Sequence, residues 1–111
     1  MKQPDEAELP EGGRTPGAES LMRAVLSLRD LDEAERFFRD LCTVQELRSL
    51  AARWQVASLL EEGVHYLEIA RRTGASTATI ARVNTWLRYG RGGYRLALDR
   101  RRAEAGTRPR P

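Results

Sequence analysis

The side chains with most scope for chemistry in this 111-residue sequence are hydroxyls and guanidinium groups, and they crowd into one stretch. Ser76, Thr77 and Thr79 carry hydroxyls, Ala78 and Ala81 lie among them, and Arg71, Arg72, Arg82 and Arg88 surround them. Short hydroxyls can contact base edges in a DNA groove, and alanine methyls can meet the thymine methyl. Guanidinium groups hold phosphates and fix register without reading sequence. At the start of a helix, free backbone N–H groups add a further phosphate contact.

Other chemistries lack partners. His65 is the only histidine, and no Cys, Asp or Glu cluster accompanies it at metal-ligand or acid-base spacing. It fits a helix start better than a catalytic site. Cys42 is the only cysteine, so an internal disulfide is excluded and a small core residue is expected. Glu61 and Glu62 read as a solvated helix end. Gly90, Gly92 and Gly93 lack the following Lys-Ser/Thr of a phosphate loop and read as a joint before a last helix. No enzyme, cofactor or metal site is expected.

The elements that must position the hydroxyl stretch have helix-turn-helix grammar. Tyr66–Thr73 reads as a short helix with Ala70 small enough for a close crossing. Gly74 follows where the turn needs a positive φ. A second helix from Thr77 to about Arg88 places Ile80, Val83 and Leu87 at core spacing. Upstream, Thr43-Val44-Gln45-Glu46 is a capping box. It opens a central helix that runs to about Glu62, with Gly63 beyond it. Leu47, Leu50, Trp54, Val56, Leu59 and Leu60 spread widely around this helix, so burial on more than one side is expected. Two shorter helices precede it, one starting near Ser20 and one near Leu31 behind Asp30 or Asp32. A final short helix begins at Tyr94. No strand pattern competes.

One domain over residues 20–99 is expected, between an acidic disordered tail over 1–19 and a basic one over 100–111. Arg100, Arg101 and Arg102 fall in that basic tail. Charge is segregated: residues 63–111 hold eleven arginines against three acids, whereas residues 1–62 hold eight basic and thirteen acidic groups. A polyanion meets the second half as a positive surface. An acidic partner protein would meet the same surface, so a helix-turn-helix used purely for protein docking is the alternative. The N-terminus is not a signal peptide and no segment is apolar enough to span a bilayer, so a soluble, cytoplasmic protein is expected.

The chain resembles the Trp-repressor superfamily over about residues 20–100, most nearly its YerC/YecD-type branch. The stretches that carry the likeness are Phe38–Thr43, Glu68–Val83 and Leu87–Gly90, with Thr73-Gly74-Ala75-Ser76-Thr77-Ala78-Thr79-Ile80 the most specific. The resemblance implies an all-α, six-helix fold, an intertwined homodimer and two recognition helices facing successive major grooves of double-stranded DNA. It implies a transcription regulator, a repressor by analogy. It also implies that Thr43, Arg53 and Arg82 match residues that bind tryptophan in the Trp repressor. Val83 and Trp86 depart from the glycine and serine found there. Their side chains are expected to fill the indole slot and to exclude tryptophan as corepressor.

Overall fold

The computed structural model describes residues 14–107, so the expected tails over 1–13 and 108–111 lie outside the described residues. The described residues form six helices and no strand. They are α1 (Pro16–Leu26), α2 (Leu31–Leu41), α3 (Val44–Glu61), α4 (Tyr66–Thr73), α5 (Thr77–Tyr89) and α6 (Gly93–Thr107). None is long and apolar enough to cross a membrane. The chain divides after Cys42 into two compact units, where the sequence suggested one domain.

In the first unit, α1 begins at Pro16, four residues before the expected Ser20. The reason is local. The Thr15 hydroxyl accepts from the Ala18 N–H, and Pro16 occupies the first turn, where its missing N–H costs nothing. Asp30 caps α2 by accepting from the Glu33 N–H at 2.8 Å. Neither helix buries a single residue; Leu26 is 82 % exposed and Leu31 83 %. Without such burial these helices build no core of their own. Cys42 caps the C-terminus of α2 and is half-buried, so it is not the core residue expected.

The second unit is built on α3. Its capping box is closed in both directions, with the Thr43 hydroxyl accepting from the Glu46 N–H and the Glu46 carboxylate accepting from the Thr43 N–H. Four successive residues, Val56 to Leu59, are buried, so the C-terminal half of α3 is surrounded. Gly63, at φ 80°, ends the helix in a Schellman arrangement, with Val64 N–H donating to the Leu59 carbonyl and Gly63 N–H to that of Leu60. Helices α4, α5 and α6 all pack on α3.

The last helix departs most from expectation. It runs to Thr107 instead of ending near Leu98, so the residues expected in a basic tail from Arg100 are helical. The cause is a set of contacts with α3. Arg95 grips the Glu61 carboxylate with two N–H groups, and Arg102 adds a third at 2.6 Å. Arg101 lies over the Trp54 ring and donates to Ser58 Oγ, while Tyr94 stacks on Trp54. Leu98 is buried beside them. Glu61 is therefore only 18 % exposed and is an anchor, not the solvated helix end expected.

The hydrogen bond from Arg95, helped by the charges of Arg95 and Arg102, holds the Glu61 carboxyl at about 2, well below its ordinary 4.5. A depressed carboxyl stabilises the fold above the unfolded value and loses that contribution as pH falls through the folded one. Docking of α6 should therefore be insensitive to pH from neutral down to about 5, and should weaken from about 4.5 towards 2. Trp54 fluorescence in a Trp86→Phe background reports this, and Glu61→Gln should remove the acid-range change.

Candidate nucleic-acid interface

The α4–turn–α5 hairpin is locked from both sides. His65 caps α4, its Nδ1 accepting from the Leu67 N–H at 3.3 Å, so the sole histidine has the structural role expected of it. Gly74 closes α4 at φ 74°, a conformation that costs other residues roughly 1–2 kcal/mol. The Ser76 hydroxyl then caps α5 by accepting from the Thr79 N–H. Ile69 of α4 and Ile80 and Val83 of α5 are fully buried, in one cluster with Val56, Ala57 and Leu59 of α3. Each such side chain contributes about 1.5–3 kcal/mol on burial. The angle of α5 is thus set by the core.

Successive α-helical residues turn by about 100°, so burying Ile80 and Val83, with Leu87 half-buried on the same side, points Ala78, Ala81 and Thr85 the opposite way. All three are exposed. Thr77 and Ser76 are exposed at the tip of α5, with no acidic residue in its first turn. The outward face therefore brings together Ser76, Thr77, Ala78 and Ala81 as expected, with Arg82 and Arg88 at its two edges. Thr79 does not join them. It is half-buried, its Oγ1 pairs with Ser76 Oγ, and it faces a recess on the Arg82 side. Thr85 and Tyr89 extend the outward face and were missed; stepping four residues on from Ala81, then from Thr85, finds both. Tyr89 is among the most exposed aromatic side chains of the described residues.

The arginines divide into two kinds. Among the described residues Arg82 has no acidic partner, and Arg88 donates only to the neutral Asn84 side chain. Their charges are uncompensated. Arg71 and Arg72 are instead both bound to Glu68 on the same helix. Their expected phosphate contacts would require exchanging one anion for another.

A recess of about 470 Å³ lies between α3 and α5, lined by Ser49, Arg53, Gly74, Thr79, Arg82, Val83 and Trp86. Arg53 and Arg82, which the resemblance implies as ligand-binding residues, both line it. The expectation that Val83 and Trp86 fill it is not met. Val83 turns into the core and is fully buried. Trp86 stays 45 % exposed, on the wall between this recess and an apolar one lined by Trp54, Gly90, Tyr94 and Ala97. Thr43 is not among the lining residues, and its hydroxyl is engaged in the capping box. Arg53 Nε is buried with no hydrogen-bond partner among the described residues. Two guanidinium groups, one with an orphaned donor, suit a carboxylate or another anion. Elsewhere, no cluster of three or more His, Cys, Asp or Glu side chains among the described residues could hold a metal ion.

A short helix, a left-handed glycine turn and a second helix propped outward from a third define a helix-turn-helix protein. The profile of the Trp repressor protein family matches residues 17–102, and the chain belongs to that family. It is 54 % identical over 82 residues to the Bacillus subtilis (strain 168) protein YerC, covering 74 % of this chain and 79 % of YerC. A TrpR-like protein from Eubacterium eligens ATCC 27750 superimposes with a TM-score of 0.75 at 48 % identity, covering 91 % of this chain and all of that one. A Staphylococcus aureus protein solved as a candidate Trp repressor gives a TM-score of 0.79 at 41 % identity, covering 86 % and 96 %. The fold is thus the all-α Trp-repressor-like one.

Leaving a buried donor unsatisfied costs about 1–3 kcal/mol. If Arg53 Nε has no partner in solution, Arg53→Met should leave thermal stability unchanged or raise it. A loss above about 2 kcal/mol on thermal unfolding would show that the donor is satisfied in the working protein.

Proposed function

We propose that this protein is a non-catalytic, sequence-specific DNA-binding regulator that acts as a homodimer, a repressor by family analogy, on a palindromic operator in the bacterial cytoplasm. The observation that carries the reading is the outward face of α5. A slim, uncharged strip of Ser76, Thr77, Ala78, Ala81 and Thr85 is exposed between the uncompensated charges of Arg82 and Arg88. A helix of this profile enters a major groove about 12 Å wide, while the flanking guanidinium groups meet the phosphates on either side.

The homodimer is supported by the first unit. Helices α1 and α2 bury none of their own residues, and Met22, Leu26, Leu31 and Leu41 stand exposed. A second copy would cover such a surface and supply burial that a small chain lacks. Two copies about a two-fold axis then address half-sites about one helical turn apart.

Selection of bound genomic fragments should enrich a palindrome. On that operator Arg82→Ala should weaken binding to every sequence and flatten the salt dependence by about one unit of slope. Substitutions at Ala78, Ala81 or Thr85 should change base preference instead. Absence of any enriched motif would defeat the reading.

Operator binding is proposed to be independent of tryptophan, because Ile69, Ile80 and Val83 already fix α5 through core packing rather than through the recess. Operator affinity should change by less than about twofold on adding millimolar L-tryptophan; a tenfold rise, about 1.4 kcal/mol of coupling, would overturn this.

A further inference from the structure

Glu68 sits in the first turn of α4, and both its carboxylate oxygens are taken. Oε1 accepts from Arg71 Nε at 2.9 Å, and Oε2 accepts from Arg71 Nη2 and from Arg72 Nε at 2.7 Å. Arg71 is thus held in the two-pronged grip that a guanidinium also uses for a phosphate. The hydrogen bonds from Arg71 and Arg72 hold the Glu68 carboxyl at about 2, so it stays ionised throughout the working pH range.

This arrangement is unlike the other ion pairs on single helices. Arg23 with Glu19 on α1, Arg36 with Asp32 and Arg39 with Glu35 on α2, and Arg95 with Asp99 on α6 are single contacts. Glu68 is shared by two arginines next to the turn that presents α5. It is 35 % exposed, while Arg71 and Arg72 are 71 % and 48 % exposed. Exposed pairs of this kind are weak, so a phosphate can displace the carboxylate, and a displaced carboxylate then stands beside that phosphate and repels it. Among the described residues Arg82 has no such competitor.

We propose that Glu68 is a built-in competitor for phosphate: it withholds Arg71 and Arg72 from the DNA backbone and so lowers sequence-independent affinity relative to operator affinity. Phosphate contacts carry no sequence information, whereas the strip on α5 does. Withholding two backbone contacts therefore leaves proportionally more of the binding to that strip. Glu68 is a specificity-setting residue that need not touch DNA. The inference rests on the DNA-binding reading above.

The test compares Glu68→Gln with Glu62→Gln in the full chain. Both remove one negative charge, but Glu62 is the exposed cap of α3 and holds no arginine among the described residues. Random-sequence duplex should bind E68Q about three- to tenfold more tightly than E62Q at low salt. The plot of log affinity against log salt should steepen by about 1–2 units, since each phosphate contact adds about 0.9. The ratio of operator to random affinity should fall. If E68Q matches E62Q in affinity and slope, or binds more weakly, the proposal is overturned, the second case showing that Glu68 organises the arginines for DNA. Elution from heparin separates the two readings. If no variant binds duplex DNA but E68Q still elutes at higher salt than E62Q, DNA binding fails and the withholding of the arginines stands. Equal elution overturns the withholding itself.

Discussion

Everything functional here depends on how α5 is held, and one apolar seam holds it. Ile69 on α4 and Ile80 and Val83 on α5 close on Val56, Ala57 and Leu59 of α3. The seam can form only if the chain reverses between Thr73 and Thr77, and Gly74 permits that at φ 74°. Because the two faces of a helix are fixed relative to each other, burying one side of α5 decides which side is offered outward. The seam thus aims the outward strip of α5 without touching it.

Charge is the second layer, and it is arranged more selectively than the excess of arginine suggests. Glu61 gathers Arg95 and Arg102 to fasten α6, and Glu68 gathers Arg71 and Arg72 on α4. Among the described residues, what remains uncompensated around the outward strip is Arg82 at one edge and Arg88 at the other. A count of positive residues overstates the field that a phosphate meets, because part of that charge is already engaged in holding the protein together. The recess beside Arg82 and Arg53 belongs to the same economy: two guanidinium groups face a cavity that no acid among the described residues lines.

Helix identities were legible because their signals are local. The Thr43/Glu46 box, the Asp30 cap and the Gly63 and Gly74 stops depend on residues within a few positions of each other. The exposed half of α5 was legible too, since its periodicity separates Ile80 and Val83 from Ala78 and Ala81. Three readings went astray for a common reason. Glu61 looked solvated because Arg95 lies 34 residues away. The stretch from Arg100 looked like a tail because its partners, Trp54, Ser58 and Glu61, lie on another helix. Trp86 looked like a plug for the recess, but a side chain on a helix can lean either way, and neighbours alone choose.

The sequence by itself determined the order of helices, the turn at Gly74 and the family to which the chain belongs, because caps, glycine conformations and apolar spacing act over one or two turns of chain. Only the tertiary structure decided which arginines are free, how far α6 extends, that Thr79 faces the recess, and that the slot beside Val83 stays open. Those outcomes depend on distances between residues far apart in the chain, which close packing sets and periodicity does not encode.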